Sequence, residues 1–166
     1  MPRLFQRIMM NKRQNRRTKL IIISDANTFF IETYFSNQKP PVKLDGLITN
    51  KAERSPENYL KLTPYETQEQ CPLCPRNLCK GTALMKYIEQ NGPFKSVFYV
   101  GDGGNDVCPA TRLTETDTVF VRKGFAMERI IMQGKWKDTQ IKIRARIVFW
   151  EDAREIEDQI DWMGQM

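Results

Sequence analysis

The chain has 166 residues, 40% of them hydrophobic and 28% charged, with a net charge of +6. That makeup fits one ordinary globular domain with room for a core and leaves too little for two. No apolar run approaches the roughly 20 residues a membrane-spanning helix needs, and the complete absence of histidine excludes Ser-His and Cys-His nucleophile pairs, HExxH zinc hydrolysis and Cys₂His₂ fingers.

The basic excess is local. Arg3, Arg7, Lys12, Arg13, Arg16, Arg17 and Lys19 come before any acid, and the remaining 19 basic residues then face 20 acidic ones. No extended nucleic-acid-binding face is expected from such a distribution. Arg3 to Arg17 reads as a basic amphipathic helix, with Leu4, Phe5, Ile8 and Met9 on one side, able to cover a sheet. An Arg-rich, acid-free mitochondrial presequence is the rival reading of the same stretch.

Lys19 to Ser24 is a continuous apolar run of the kind found in a parallel strand buried on both faces. Asp25-Ala26-Asn27 follows it, then a helical stretch carrying Phe29, Phe30, Tyr34 and Phe35. A short strand is expected at Leu47-Ile48-Thr49, and the Pro-rich, polar segment from Lys51 to Arg76 reads as a surface excursion. Asn77 can cap a helix that runs to Gln90 with Gly92 beyond its end. Ser96 to Val100 is the next strand. Thr118 to Val121 is another, Phe125 to Met132 a helix stopped near Gly134, and Ile147 to Trp150 a last strand, before a closing helix striped by Ile156, Ile160 and Met163. Alternation of this kind implies βαβ units around a parallel sheet, with ligands at the carboxyl ends of the strands.

The cysteines form one cluster, Cys71, Cys74 and Cys79, with Cys108 further on. With no signal peptide visible, a reducing intracellular setting, cytoplasmic in the first instance, is expected rather than a disulfide framework. Cys71-Pro-Leu-Cys74 has zinc-knuckle spacing, and Cys79 and Cys108 could complete four thiolates. Because a second closely spaced CxxC is missing, small buried structural thiols that pin a loop are the preferred reading.

The richest segment is Val97-Phe98-Tyr99-Val100-Gly101-Asp102-Gly103-Gly104-Asn105-Asp106, which reads as a buried strand that ends in a glycine-rich turn with two carboxylates. Glycines let the backbone turn sharply and approach a ligand. Carboxylates are the hard oxygen ligands Mg²⁺ takes beside a phosphate. Ser24-Asp25 ends an earlier strand, and Lys80 opens the helix leading to this one. A hydroxyl, a cation and metal-holding carboxylates at strand ends are the parts phosphoryl transfer needs.

In that order these segments resemble the haloacid-dehalogenase-like hydrolase superfamily, in the branch containing phosphoethanolamine/phosphocholine phosphatase and pyridoxal phosphate phosphatase. The similar residues are Ile22-Ile23-Ser24-Asp25-Ala26-Asn27, Cys74-Pro75-Arg76-Asn77-Leu78-Cys79-Lys80, Tyr99 through Pro109, and Arg122-Lys123-Gly124-Phe125. The resemblance implies a Mg²⁺-dependent phosphomonoesterase of small phosphorylated amines or pyridoxal phosphate. It implies phosphate and substrate binding by Ser24, Asp25, Asn27 and Lys80, and a metal held by Asp102 with Asp106 supporting its shell.

Members of the family begin with a strand ending in Asp-x-Asp-x-Thr, whose first Asp attacks phosphorus and whose second moves the proton. No Asp-x-Asp occurs in these 166 residues, and Glu69-Gln70-Cys71 stands where the family has His-Ser-Cys. The expected fold is therefore an incomplete Rossmann-like α/β sheet flanked by helices, with the first strand and the cap missing. Residues 1–18 would form a basic helix and 19–166 the hydrolase core. Catalytic residues are absent from the expected set, activity is expected to be impaired, and a non-catalytic phosphate-ligand or partner-binding module with a Cys-stabilised loop is the alternative.

Overall fold

The computed structural model describes residues 2–13 and 18–163. In chain order the elements are α1 (Pro2–Arg13), β1 (Ile21–Asn27), α2 (Thr28–Ser36), β2 (Gly46–Arg54), β3 (Leu60–Thr63), α3 (Lys80–Asn91), β4 (Phe98–Gly101), α4 (Val107–Ala110), β5 (Thr118–Arg122), α5 (Ala126–Gln133), β6 (Lys135–Trp136), β7 (Thr139–Gln140), β8 (Arg146–Trp150) and α6 (Ala153–Met163). Residues 14–17 of the expected basic helix and the side chain of Met163 lie outside the described part. The fold is α/β and Rossmann-like, with parallel strands flanked by helices. The chain divides into two compact units, Met1–Tyr65 with Asp152–Met166, and Glu66–Glu151.

In the first unit β1 pairs in parallel with β2, and β2 pairs antiparallel with β3. The entry to the parallel pair is fixed by Asp45, whose carboxylate accepts the Leu20 N–H at 2.7 Å while its own N–H donates to the Leu20 carbonyl at 2.7 Å. Leu20, Phe35 and Val42 form the core of this unit. Against it pack Phe5, Ile8 and Met9 of α1, with the Phe5 ring edge-on to Phe35 at 5.0 Å. The basic helix thus covers the sheet with its apolar side, and Arg3 pairs with Glu157 of α6 at 3.2 Å. Of the aromatics on α2 only Phe35 is buried; Phe29, Phe30 and Tyr34 are exposed.

The segment expected as an excursion instead carries the second half of a hairpin. β2 runs on to Arg54, and Leu60–Thr63 returns against Lys51–Arg54 in register. The alternation Leu60-Lys61-Leu62-Thr63 is a strand pattern, but Leu62 is exposed, so the hairpin rests on ladder bonds and adds no core side chain to reveal it. Asn58 makes the connecting turn at φ 67°, a left-handed conformation asparagine tolerates.

The second unit is built on the all-parallel sheet β4-β5-β8. Central β5 is buried on both faces, with Val119, Phe120 and Val121 at 0% exposure, which explains its unbroken apolar sequence. β4 departs from the buried strand expected. Its Tyr99 and Gly101 face inward while Phe98 and Val100 are 36% and 38% exposed. Asp117 organises the start of this sheet: its buried carboxylate accepts the Val97 N–H, the Thr114 N–H and the Thr114 hydroxyl, each at 2.8 Å. α3 begins at Lys80 with Cys79 as its N-cap, two residues later than the expected Asn77. α5 ends at Gly134 in the left-handed conformation (φ 65°).

Replacing Asp117 with Ala leaves two backbone donors at the sheet entry without their acceptor. A loss of about 2–3 kcal/mol is expected for the transition of this unit, read as a lower urea midpoint by tryptophan fluorescence.

Candidate functional site

The acidic turn is assembled around one carboxylate. Asp106, on the single 3₁₀ turn Gly104–Asp106 after β4, is 5% exposed. Its Oδ1 accepts the Lys80 Nζ at 2.8 Å and the Tyr99 hydroxyl at 2.7 Å. Its Oδ2 accepts the backbone N–H groups of Asp102 at 3.1 Å and Gly103 at 2.9 Å. A carboxylate offers about four lone-pair positions, so Asp106 is saturated within the protein. It cannot give a lone pair to a cation without losing one of these bonds, and its place is that of the support behind Asp102.

Close approach makes this possible. A Cβ on Gly101 would lie 2.6 Å from the Asp106 Cβ and 2.9 Å from its Cγ, so the strand must end in glycine for the carboxylate to tuck behind it. Tyr99 reaches Asp106 because alternate β4 residues share a face. Its hydroxyl is held well above the ordinary tyrosine range, first by burial and then by the Asp106 charge, so it remains a donor. The ion pair with Lys80 is buried, at 9% and 6% side-chain exposure. It neutralises the Asp106 charge, and one of the three ammonium donors is used in doing so.

Asp102 is different. Its side chain is 49% exposed, and its nearest cation is the Arg122 Nη1 at 3.9 Å. Its backbone is fixed on both sides, the N–H by Asp106 and the carbonyl by the Met127 N–H at 2.9 Å. Arg122, at the end of β5, is stacked over Phe125 at 4.2 Å and lies 5.4 Å from the Trp150 ring. The site thus presents one exposed oxygen-ligand carboxylate with a guanidinium beside it, on a rigid turn. That donor set fits a hard divalent cation such as Mg²⁺, held through one carboxylate and otherwise by water or phosphate oxygens.

Ser24, Asp25 and Asn27 lie in the first unit, at the carboxyl end of β1. There the four-residue step from Ile23 to Asn27 faces the two-residue step from Ile48 to Asn50, a bulge that lifts Ser24 to Ala26 out of the ladder. Asn50 holds the bulge by donating to the Asp25 and Ala26 carbonyls at 2.7 and 2.8 Å. The Ser24 hydroxyl accepts the Ala26 N–H at 3.2 Å, and Asn27 is buried as the N-cap of α2, accepting from Phe30. Ser24 and Asp25 are thereby displayed, whereas Asn27 has a helix to begin.

All four cysteines gather in the second unit, with their sulfurs within 4.8 Å of one another. Gln68 shapes the loop that brings the first two in. Its Oε1 accepts the Cys71 N–H at 2.8 Å, and its Nε2 donates to the carbonyls of Cys71, Cys74 and Pro75. Glu66 accepts the Cys79 N–H at 2.7 Å just ahead of α3. Within the cluster Cys108 is pushed down to about 5, chiefly by the hydrogen bond from Cys74, helped by Cys71, Arg112 and Cys79 against the opposing effect of burial. Cys74 is pushed up by the same bond and by burial, and Cys71 by burial.

The sequence puts Ser24, Asp25, Asn27, Lys80, Asp102 and Asp106 in one site, of which the second unit brings Lys80, Asp102 and Asp106 together, and it assigns nothing to Tyr99, Arg122, Asn50 or Gln68. Only Tyr99 carried a signal, a hydroxyl-bearing residue two positions from Gly101 on the inward face of β4. The Lys80–Asp106 pair is open to a double-substitution test. Lys80→Met should cost about 3–5 kcal/mol by stranding a buried carboxylate. Combined with Asp106→Asn it should cost clearly less than the two single losses together, measured by urea denaturation.

The family model described as "Putative Phosphatase" matches residues 1–163. The chain is 34% identical over 142 residues to the phosphoethanolamine/phosphocholine phosphatase of Homo sapiens, covering 83% of this chain and 52% of that protein. It is 34% identical over 160 residues to the Gallus gallus protein of the same name, covering 94% and 58%. It is 33% identical over 150 residues to pyridoxal phosphate phosphatase PHOSPHO2 of Mus musculus, covering 88% and 61%. The chain therefore spans little more than half the length of these curated relatives. No solved structure matches it. With the family model covering nearly every residue and the Lys80–Asp102–Asp106 arrangement in place, the chain belongs to this phosphatase family of haloacid-dehalogenase-like hydrolases.

Proposed function

We propose that this chain holds the metal- and phosphate-binding part of a phosphomonoesterase site for small phosphorylated amines or pyridoxal phosphate. The observation that carries this reading is the division of labour at the β4 tip. Asp106 is fully committed to the protein, while Asp102 is exposed on the turn that Asp106 fixes.

In this reading Asp102 is the ligand for Mg²⁺, which when bound neutralises charge on a phosphoryl oxygen. Lys80 holds Asp106 in place, and its ammonium can offer a further donor to an anion. Arg122, braced by Phe125, supplies a second cation next to Asp102. In the first unit the Ser24 hydroxyl and the Asp25 carboxylate on the β1 bulge are the groups proposed to meet substrate.

In this reading Asp102, Lys80 and Arg122 stabilise charge, and no nucleophile is assigned among these groups. Electrostatic stabilisers lower a barrier but do not replace the nucleophile, and no Asp-x-Asp occurs in the sequence. The 166 residues are therefore expected to bind phosphomonoesters without turning them over.

Two measurements on the purified chain test this. Calorimetric titration with phosphocholine should saturate, with affinity at least about tenfold higher with Mg²⁺ than with a chelator, and Asp102→Asn should abolish the Mg²⁺ effect. Incubation with para-nitrophenyl phosphate and Mg²⁺ should release no product above the Asp102→Asn control. Mg²⁺-dependent turnover lost in that variant would show that a nucleophile is present after all. No saturable binding in either condition would remove the phosphate reading itself.

A further inference from the structure

We propose that Cys71, Cys74, Cys79 and Cys108 form a tetrathiolate site for one zinc ion, which fastens the loop before α3 to the helix that follows the acidic turn. The geometry is that of a preformed tetrahedron. A zinc ion with Zn–S bonds of about 2.3 Å sets its sulfurs about 3.8 Å apart. Here Cys71 and Cys108 are 3.5 Å apart, Cys79 and Cys108 3.8 Å, and no sulfur is more than 4.8 Å from another. None is joined in a disulfide.

The surroundings are built for anionic sulfur. The Thr82 hydroxyl donates to the Cys79 sulfur at 3.2 Å, and the Arg112 side chain lies with the Cys108 sulfur beside Gly81. A hydroxyl donor and a cationic side chain beside two of the sulfurs suit thiolates, while the Cys74 sulfur lies 3.9 Å from the Asn105 carbonyl. Four thiolates and one Zn²⁺ carry a net charge of −2, which Arg112 partly offsets. Leu73, Trp136 and Ile141 close the site with apolar surface, the shell that limits water access around a structural metal.

Gly81 shows how tightly the site is drawn in. A Cβ there would come 2.5 Å from the Cys108 sulfur and 2.9 Å from the Arg112 Nε, so α3 can pass the cluster only as glycine. Zinc is the metal assigned because soft thiolates in a tetrahedron select Zn²⁺ or iron, and Zn²⁺ binds such ligands more strongly than Fe²⁺. The hard cation assigned to Asp102 has no preference for sulfur. The two sites are close in sequence: Cys79 precedes Lys80, and Cys108 follows Asp106 by two residues. This inference stands on the sulfur geometry alone and does not depend on the proposed phosphatase reading.

The test uses the full 166-residue chain purified without added zinc. Elemental analysis should give about one equivalent of zinc per chain, retained in Asp102→Asn and lost in Cys71→Ser and in Cys108→Ser. Should those variants fail to fold, the unaltered chain, stripped of metal under reducing conditions and titrated with Co²⁺, should still develop thiolate-to-cobalt charge-transfer and tetrahedral d–d absorption that saturates at one equivalent and is bleached by Zn²⁺. Zinc below about a tenth of an equivalent together with no cobalt absorption would overturn the site. So would full zinc retention in folded Cys108→Ser. Iron in stoichiometric amount in place of zinc would overturn the choice of metal.

Discussion

The second unit depends on the Asp106 carboxylate and the four groups that point at it. Two of them, the N–H groups of Asp102 and Gly103, belong to the turn that must be held. The other two come from elsewhere: Tyr99 from the strand behind and Lys80 from the first turn of α3. One buried anion therefore locks a strand, a turn and a helix start into a single geometry. Burial makes each bond matter more, because an unmet donor or charge in that environment costs several kcal/mol. Gly101 is the spatial condition for this arrangement, since it leaves room beside Asp106 that a methyl group would fill.

Hard and soft chemistry are kept apart within a short stretch of chain. Carboxylates lie on the turn after β4, while the cysteine sulfurs come from the loop before α3 and from α4, which directly follows the turn. The separation is chemical rather than spatial: carboxylates and thiolates prefer different cations, so neighbouring clusters need not compete. Gln68 shows how much polar organisation lies behind the sulfurs, with one side-chain amide satisfying four backbone groups of a loop that lacks regular structure.

The parts of this architecture that follow from local rules were legible in the sequence. Thr118 to Val121 reads as a strand from its apolar run, and Gly134 stops α5 because it can take a positive φ, whereas the run expected to be buried on both faces, Lys19 to Ser24, is only half-buried over Ile21 to Ser24. The acidic turn was visible because its glycines and carboxylates are adjacent in the chain. What stayed hidden depends on partners distant in sequence. β3 gains its identity from pairing with β2; Arg122 gains a role only when β5 is placed beside β4. Cys79, not Asn77, caps α3, because Glu66 takes up its N–H, thirteen residues away. The β4 exposure was misread for a related reason: an apolar composition reports what a strand could bury, and the neighbours decide what it does bury.

That exposure has a practical side. β4 has a hydrogen-bonded neighbour on one side only among the described strands, and Phe98 and Val100 present apolar surface there. An unpaired edge with apolar side chains is a template for another extended chain. In a concentrated sample, molecules of this protein can therefore meet edge to edge, so the colloidal behaviour of the preparation would be governed by a strand whose inward residues hold the acidic turn. Dilution or added charge on the outward face of β4 would relieve such crowding without touching Tyr99 or Gly101.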